Sequence, residues 1–90
     1  MNLEDIALDV KAYDEIERYK PLLDIQLRLN KPFDYLSLIA EKYGVDKAVV
    51  IEKNFDLFSF YKNTLKMSSD KAMYESILKT HYLVATDGFF

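Results

Sequence analysis

Ninety residues, half of them apolar, 14% aromatic and 30% charged, make one small domain with enough apolar side chains to fold, which excludes both a disordered chain and a two-domain one. Cysteine is absent, excluding disulfides, thiolate zinc sites and cysteine nucleophiles and fitting an intracellular compartment. The net charge of −3 is uneven, with seven acids against three bases in residues 1–24 and eight against nine in residues 25–90, so the basic surface that phosphate neutralisation needs is missing and tight nucleic-acid binding is not expected.

In chain order, Asn2 suits an N-cap, and Glu4 and Asp5 favour the positive end of a first helix. Leu3, Ile6, Val10 and Tyr13 recur at three- and four-residue spacing and predict its apolar stripe. The helix is expected to run to about Tyr19, where Pro21 breaks the ladder or opens the next helix. Residues 22–29 read either as a helix face (Leu22, Ile25, Leu29) or as a strand (Ile25, Leu27, Leu29). A helix is favoured, because no second strand pattern exists to pair with.

Asn30, Lys31 and Pro32 predict a turn, and Phe33 to Tyr43 a helix closed by Gly44. Asp46 caps a further helical segment carrying Ala48 to Ile51 and, across an expected break near Asn54 to Asp56, Phe55 to Leu65. With apolar residues on nearly every side, this segment is either a central buried helix or a partner surface. Ser68 or Ser69 caps a last helix with Met73, Tyr74, Ile77 and Leu78 on its apolar side, ending near Tyr82. The fold class is therefore all-α: a body of four to five short helices over residues 1–82, with residues 83–90 as a C-terminal tail or docking peptide.

Little in the sequence points to catalysis, a cofactor or a metal. The single histidine, His81, reads as a partly exposed residue near a helix C-terminus, where its charge favours the dipole. No histidine pair or HExxH spacing offers a metal site. Carboxylates such as Asp5 and Asp9 share a helix side that reads as solvated. The longest aliphatic run, Ala48 to Ile51, is too short for a membrane span, and the acidic start is unlike a secretory signal; the expected compartment is the cytoplasm.

Leu38 to Val45 (LIAEKYGV) followed by Val50 has helix-turn-helix spacing: Ala40 where two helices cross, Gly44 for a left-handed turn, Val50 for the buried side of the second helix. A second helix offering Asp46, Lys47, Glu52, Lys53 and Asn54 is too mixed in charge to read bases. Further on, Val84, the spacer Thr86-Asp87-Gly88, and Phe89 and Phe90 match the aliphatic residue, polar spacer and paired aromatics of sliding-clamp-binding peptides, without their usual opening glutamine.

A small acidic helical chain with this helix turn and this peptide resembles the late-transcription coactivators of large tailed phages, over roughly residues 33–90 and not over residues 1–32. The resemblance implies a helical body on the flap of the host RNA polymerase β subunit, a terminal peptide tethered to a sliding clamp, and residence in the host cytoplasm. Val84, Asp87, Phe89 and Phe90 then bind the clamp, and Phe58, Phe60 and Tyr61 of the aromatic-rich stretch 55–61 are candidate body contacts. Three other readings stand beside it. One is an inhibitor or decoy presenting the acidic first helix to a host enzyme, and another is a helix-turn-helix DNA binder. In the third, Phe89 and Phe90 fold back as a plug for the protein's own core.

Overall fold

A computed structural model describes residues 3–86, with side chains from Val10 onward. It contains four α-helices, α1 (Leu3–Arg28), α2 (Pro32–Tyr43), α3 (Lys47–Ser59) and α4 (Ser69–Ala85), with a π-helical segment, Phe60–Thr64, continuing α3. No strand occurs among the described residues. Residues 22–28 are helical, as the favoured reading had it.

The first two helices end in the same way. Asn30 (φ 57°) and Gly44 (φ 67°) both adopt the left-handed conformation. After α1, Asn30 N–H donates to Leu27 O at 3.0 Å and Lys31 N–H to Gln26 O at 2.8 Å. After α2, Gly44 N–H donates to Glu41 O at 3.3 Å and Val45 N–H to Ala40 O at 3.0 Å. Each pair closes the last turn in a Schellman motif and satisfies carbonyls that would otherwise be orphaned. Pro32 then opens α2 at its first turn, where its missing N–H costs nothing. Asp46 Oδ1 accepts from Ala48 N–H at 2.7 Å to start α3, and Ser68 Oγ accepts from Lys71 N–H at 3.3 Å to start α4.

Three expectations for α1 and α3 are corrected. First, α1 does not stop at Tyr19 but runs through Pro21 to Arg28. Pro21 and Glu17 are both exposed, so the carbonyl that loses its partner can turn to water. Second, Val10 and Tyr13 are 64% and 61% exposed. The inward stripe is Ala12, Ile16, Tyr19 and Leu23, about one residue round the helix from the expected one. Third, α3 is unbroken at Asn54 to Asp56. Asn54 is buried instead, its Oδ1 3.1 Å from the Thr80 hydroxyl of α4, which shares its one proton with Ser76 O at 2.8 Å.

The core is built from Leu23 of α1, Tyr35, Leu36, Ile39 and Ala40 of α2, Val50 of α3, and Ile77 and Val84 of α4. Ala40 and Val50 are buried on either side of Gly44, as the helix-turn-helix spacing predicts. Helix α4 packs against all three others. It ends at Ala85 rather than near Tyr82, so residues 83–85 belong to the helix. Among the described residues no helix is long and apolar enough to cross a membrane.

Candidate functional site

Two regions hold the unusual chemistry: a buried polar chain around His81, and a set of aromatic rings left on the surface of α2, α3 and the π-helical segment.

His81 is 1% exposed, which overturns the expectation of a partly exposed charged residue. Its ring is surrounded by Tyr19 of α1 and Tyr35 and Tyr43 of α2, with centroids 5.7 to 5.9 Å away. Tyr35 OH lies 2.9 Å from Nδ1 and Tyr43 OH 3.3 Å from Nε2. Tyr43 OH donates to Glu15 Oε2 of α1. Because the carboxylate can only accept, Tyr43 spends its proton there and is left to accept from His81, which puts the imidazole proton on Nε2 and makes Nδ1 the acceptor for Tyr35. The chain thus has one consistent direction, from Tyr35 through His81 and Tyr43 to Glu15.

The electrostatics follow. Burial, the main cause, and the Lys42 ammonium push the imidazole from 6.5 down to about 4, against the opposing pull of Glu15, so His81 is neutral at pH 7. The hydrogen bond from Tyr43 lowers the Glu15 carboxyl, helped by Lys42. Burial raises both tyrosine hydroxyls, and Glu15 raises Tyr43 further. With both imidazole nitrogens occupied, His81 offers no free ligand or base, and among the described residues no three His, Asp or Glu side chains are grouped to hold a metal.

On the surface, the Phe33 and Phe55 rings lie 5.8 Å apart across α2 and α3, 43% and 48% exposed. Phe60 is also 48% exposed and meets Tyr61 edge to face at 5.8 Å. The three body residues picked out from the sequence do not form one patch. Phe58 is half-buried and lines a groove with Leu27, Pro32 and Met73. Tyr61 lines a different groove, with Tyr13, Ile16 and Tyr82. Phe60 lines neither groove, and it opens the π-helical segment that follows α3. Phe33 is the surface aromatic that the sequence reading missed. Its signal was an aromatic directly after a helix-opening proline, outside the inward stripe of Tyr35, Leu36, Ile39 and Ala40.

Of the candidate clamp residues, Val84 is 2% exposed and part of the core. It is not displayed for docking, and a peptide using it would have to unwind the last turn of α4. Asp87, Phe89 and Phe90 lie outside the described residues. Comparison with protein-family models, with curated proteins and with solved structures found no match.

Proposed function

We propose that this chain is a non-enzymatic adaptor that binds other proteins through the aromatic surface of its helical body. The observation that carries this reading is the Phe33–Phe55 pair: two rings that touch each other, come from different helices and remain nearly half exposed. Large aromatics at the centre of an interface are the residues whose loss costs most on association. The polar chain around His81 supports the same reading from the other side, since both imidazole nitrogens and the Glu15 carboxylate are engaged within the chain itself.

In finer terms, the resemblance over residues 33–90 assigns RNA polymerase as the partner of the body and a sliding clamp as the partner of the peptide, with Asp87, Phe89 and Phe90 as its contacts. With Val84 held in the core, the peptide begins after Thr86. An anchor of two phenylalanines gives roughly 1.5–3 kcal/mol each on burial, offset by ordering the chain, so a tether of about micromolar strength or weaker is expected, strengthened when the body is already bound.

The test is co-elution with purified bacterial RNA polymerase and with a purified sliding clamp. The intact chain should associate with both, and a chain lacking residues 87–90 should keep the polymerase and lose the clamp. Association with neither would overturn the finer reading.

A further inference from the structure

The two most exposed large apolar side chains among the described residues are neighbours. Val10 and Tyr13 are 64% and 61% exposed, and at a spacing of three they share one face of α1. That face meets the end of α4. The two helices run antiparallel: the Tyr13 ring lies 5.4 Å from that of Tyr82, while Lys20, two turns later on α1, feels the charge of Glu75, two turns earlier on α4. In this register Val10 falls opposite Ala85 and Thr86, where α4 stops. A groove of about 360 Å³ opens beside it, with Tyr13, Ile16, Leu78 and Tyr82 in its lining.

What the chain sends past Thr86 matches this surface in chemistry and in length. Asp87, Gly88, Phe89 and Phe90 follow, outside the described residues. Phe89 and Phe90 are three and four residues beyond Thr86, a reach of about 10–14 Å at roughly 3.3–3.6 Å per residue, and packed helix axes are about 8–10 Å apart. The segment is long enough to cross from α4 to the Val10 face, and Gly88 admits the left-handed backbone that a tight reversal needs. It is too short for the other groove. Met73 lies thirteen residues before Thr86 on the same helix, about 20 Å away at 1.5 Å per residue.

From this geometry we infer that Asp87 to Phe90 fold back as an external latch, with Phe89 and Phe90 covering Val10 and Tyr13 at the open end of the α1–α4 groove. The contact goes beyond the adaptor reading and needs no partner. It also differs from a core plug, because it covers side chains on the surface and not those of the core. One consequence does rest on the adaptor reading: if the same two rings are the anchors that a sliding clamp takes, they must leave α1 first, and the fold holds its own docking peptide closed.

NMR of the isotope-labelled full chain tests this, with the variants Phe89→Ala/Phe90→Ala and Val10→Glu beside it. In the parent, ring protons of Phe89 and Phe90 should show NOEs to the Val10 methyls and the Tyr13 ring, at low and high protein concentration alike. The double variant should move the Val10 methyl signals through lost ring currents and leave those of the core residues Leu23, Val50 and Ile77 in place. Val10→Glu, at an exposed position, should release the rings and bring their signals to random-coil values. No NOE to Val10 or Tyr13, NOEs to Leu23 or Ile77 instead, or NOEs that appear only at high concentration and so come from a second copy, would each overturn the latch. Since no polymerase or clamp enters the experiment, its failure is separate from failure of the adaptor reading.

Discussion

The Tyr35 hydroxyl of α2 donates to Nδ1 of His81 on α4 at 2.9 Å, joining residues forty-six positions apart inside the core. This bond orients the imidazole that Tyr43 and Glu15 hold from the other side. Together these bonds tie three helices, α1, α2 and α4, and burial makes the tie expensive to break. Tyr35→Phe keeps the ring and removes the donor, leaving Nδ1 buried and unpaired. A loss of about 1–3 kcal/mol is expected, lowering the thermal midpoint by roughly 4–8 °C per kcal/mol in a domain of this size. An unchanged midpoint would show that the bond carries no net stability.

The same chain makes the protein acid-sensitive. His81 binds a proton near pH 6.5 when unfolded and only near pH 4 when folded, so the unfolded state holds more protons between those values. Stability should be complete above about pH 6.5, fall as pH drops towards 4 and level off below, by about 3 kcal/mol in all from this group. Glu15, also lowered in the folded state, adds a loss of the same sign below its ordinary value of 4.5. Urea midpoints at pH 7, 5.5 and 4 measure this, and a flat profile would contradict a buried neutral histidine.

Pro21 sits in the interior of α1 on its exposed side. Pro21→Ala restores a backbone donor without altering the core, and proline is less favourable than alanine inside a helix by up to about 3 kcal/mol. The variant should be more stable by about 1–3 kcal/mol in urea unfolding; a destabilised variant would mean that α1 is shaped by its proline.

Gly44 has φ 67°, and nothing lies within 4 Å of where a Cβ would stand. Gly44→Ala should therefore cost about 1–2 kcal/mol through backbone conformation alone, and Gly44→Asn less, since asparagine tolerates this region and already serves the same purpose at position 30. Equal losses for the two variants would point to packing instead.

What could be read from the sequence was local. Asp46, Ser68, Gly44 and the Asn30-Lys31-Pro32 turn act within a few residues of themselves, and their roles follow from side-chain reach and backbone preference. The inward side of α1 could not be fixed that way. Val10 and Tyr13 compete with Ile16 and Tyr19 as equally apolar stripes, and the choice is made by α2 and α4. His81 was misread for the same reason: its place near the end of a helix is visible in the sequence, whereas the three tyrosines around it arrive from positions 19, 35 and 43. Val84 read as part of a tail because it matched the aliphatic position of a clamp-binding peptide, although no stop signal falls between Tyr82 and Gly88 and α4 runs on to Ala85. At the surface, Phe58, Phe60 and Tyr61 read as one stretch, whereas Phe58 ends up in one groove and Tyr61, within the π-helical segment, in another.

The adaptor reading is tested most directly by measuring stability and association together for the double variant Phe33→Ala/Phe55→Ala. The expected result is urea unfolding within about 1 kcal/mol of the parent, as for surface substitutions, with binding to RNA polymerase weakened at least tenfold, since interface aromatics commonly cost 2 kcal/mol or more. Unchanged binding together with a stability loss of several kcal/mol would mean that the two rings serve the fold, and would contradict the reading.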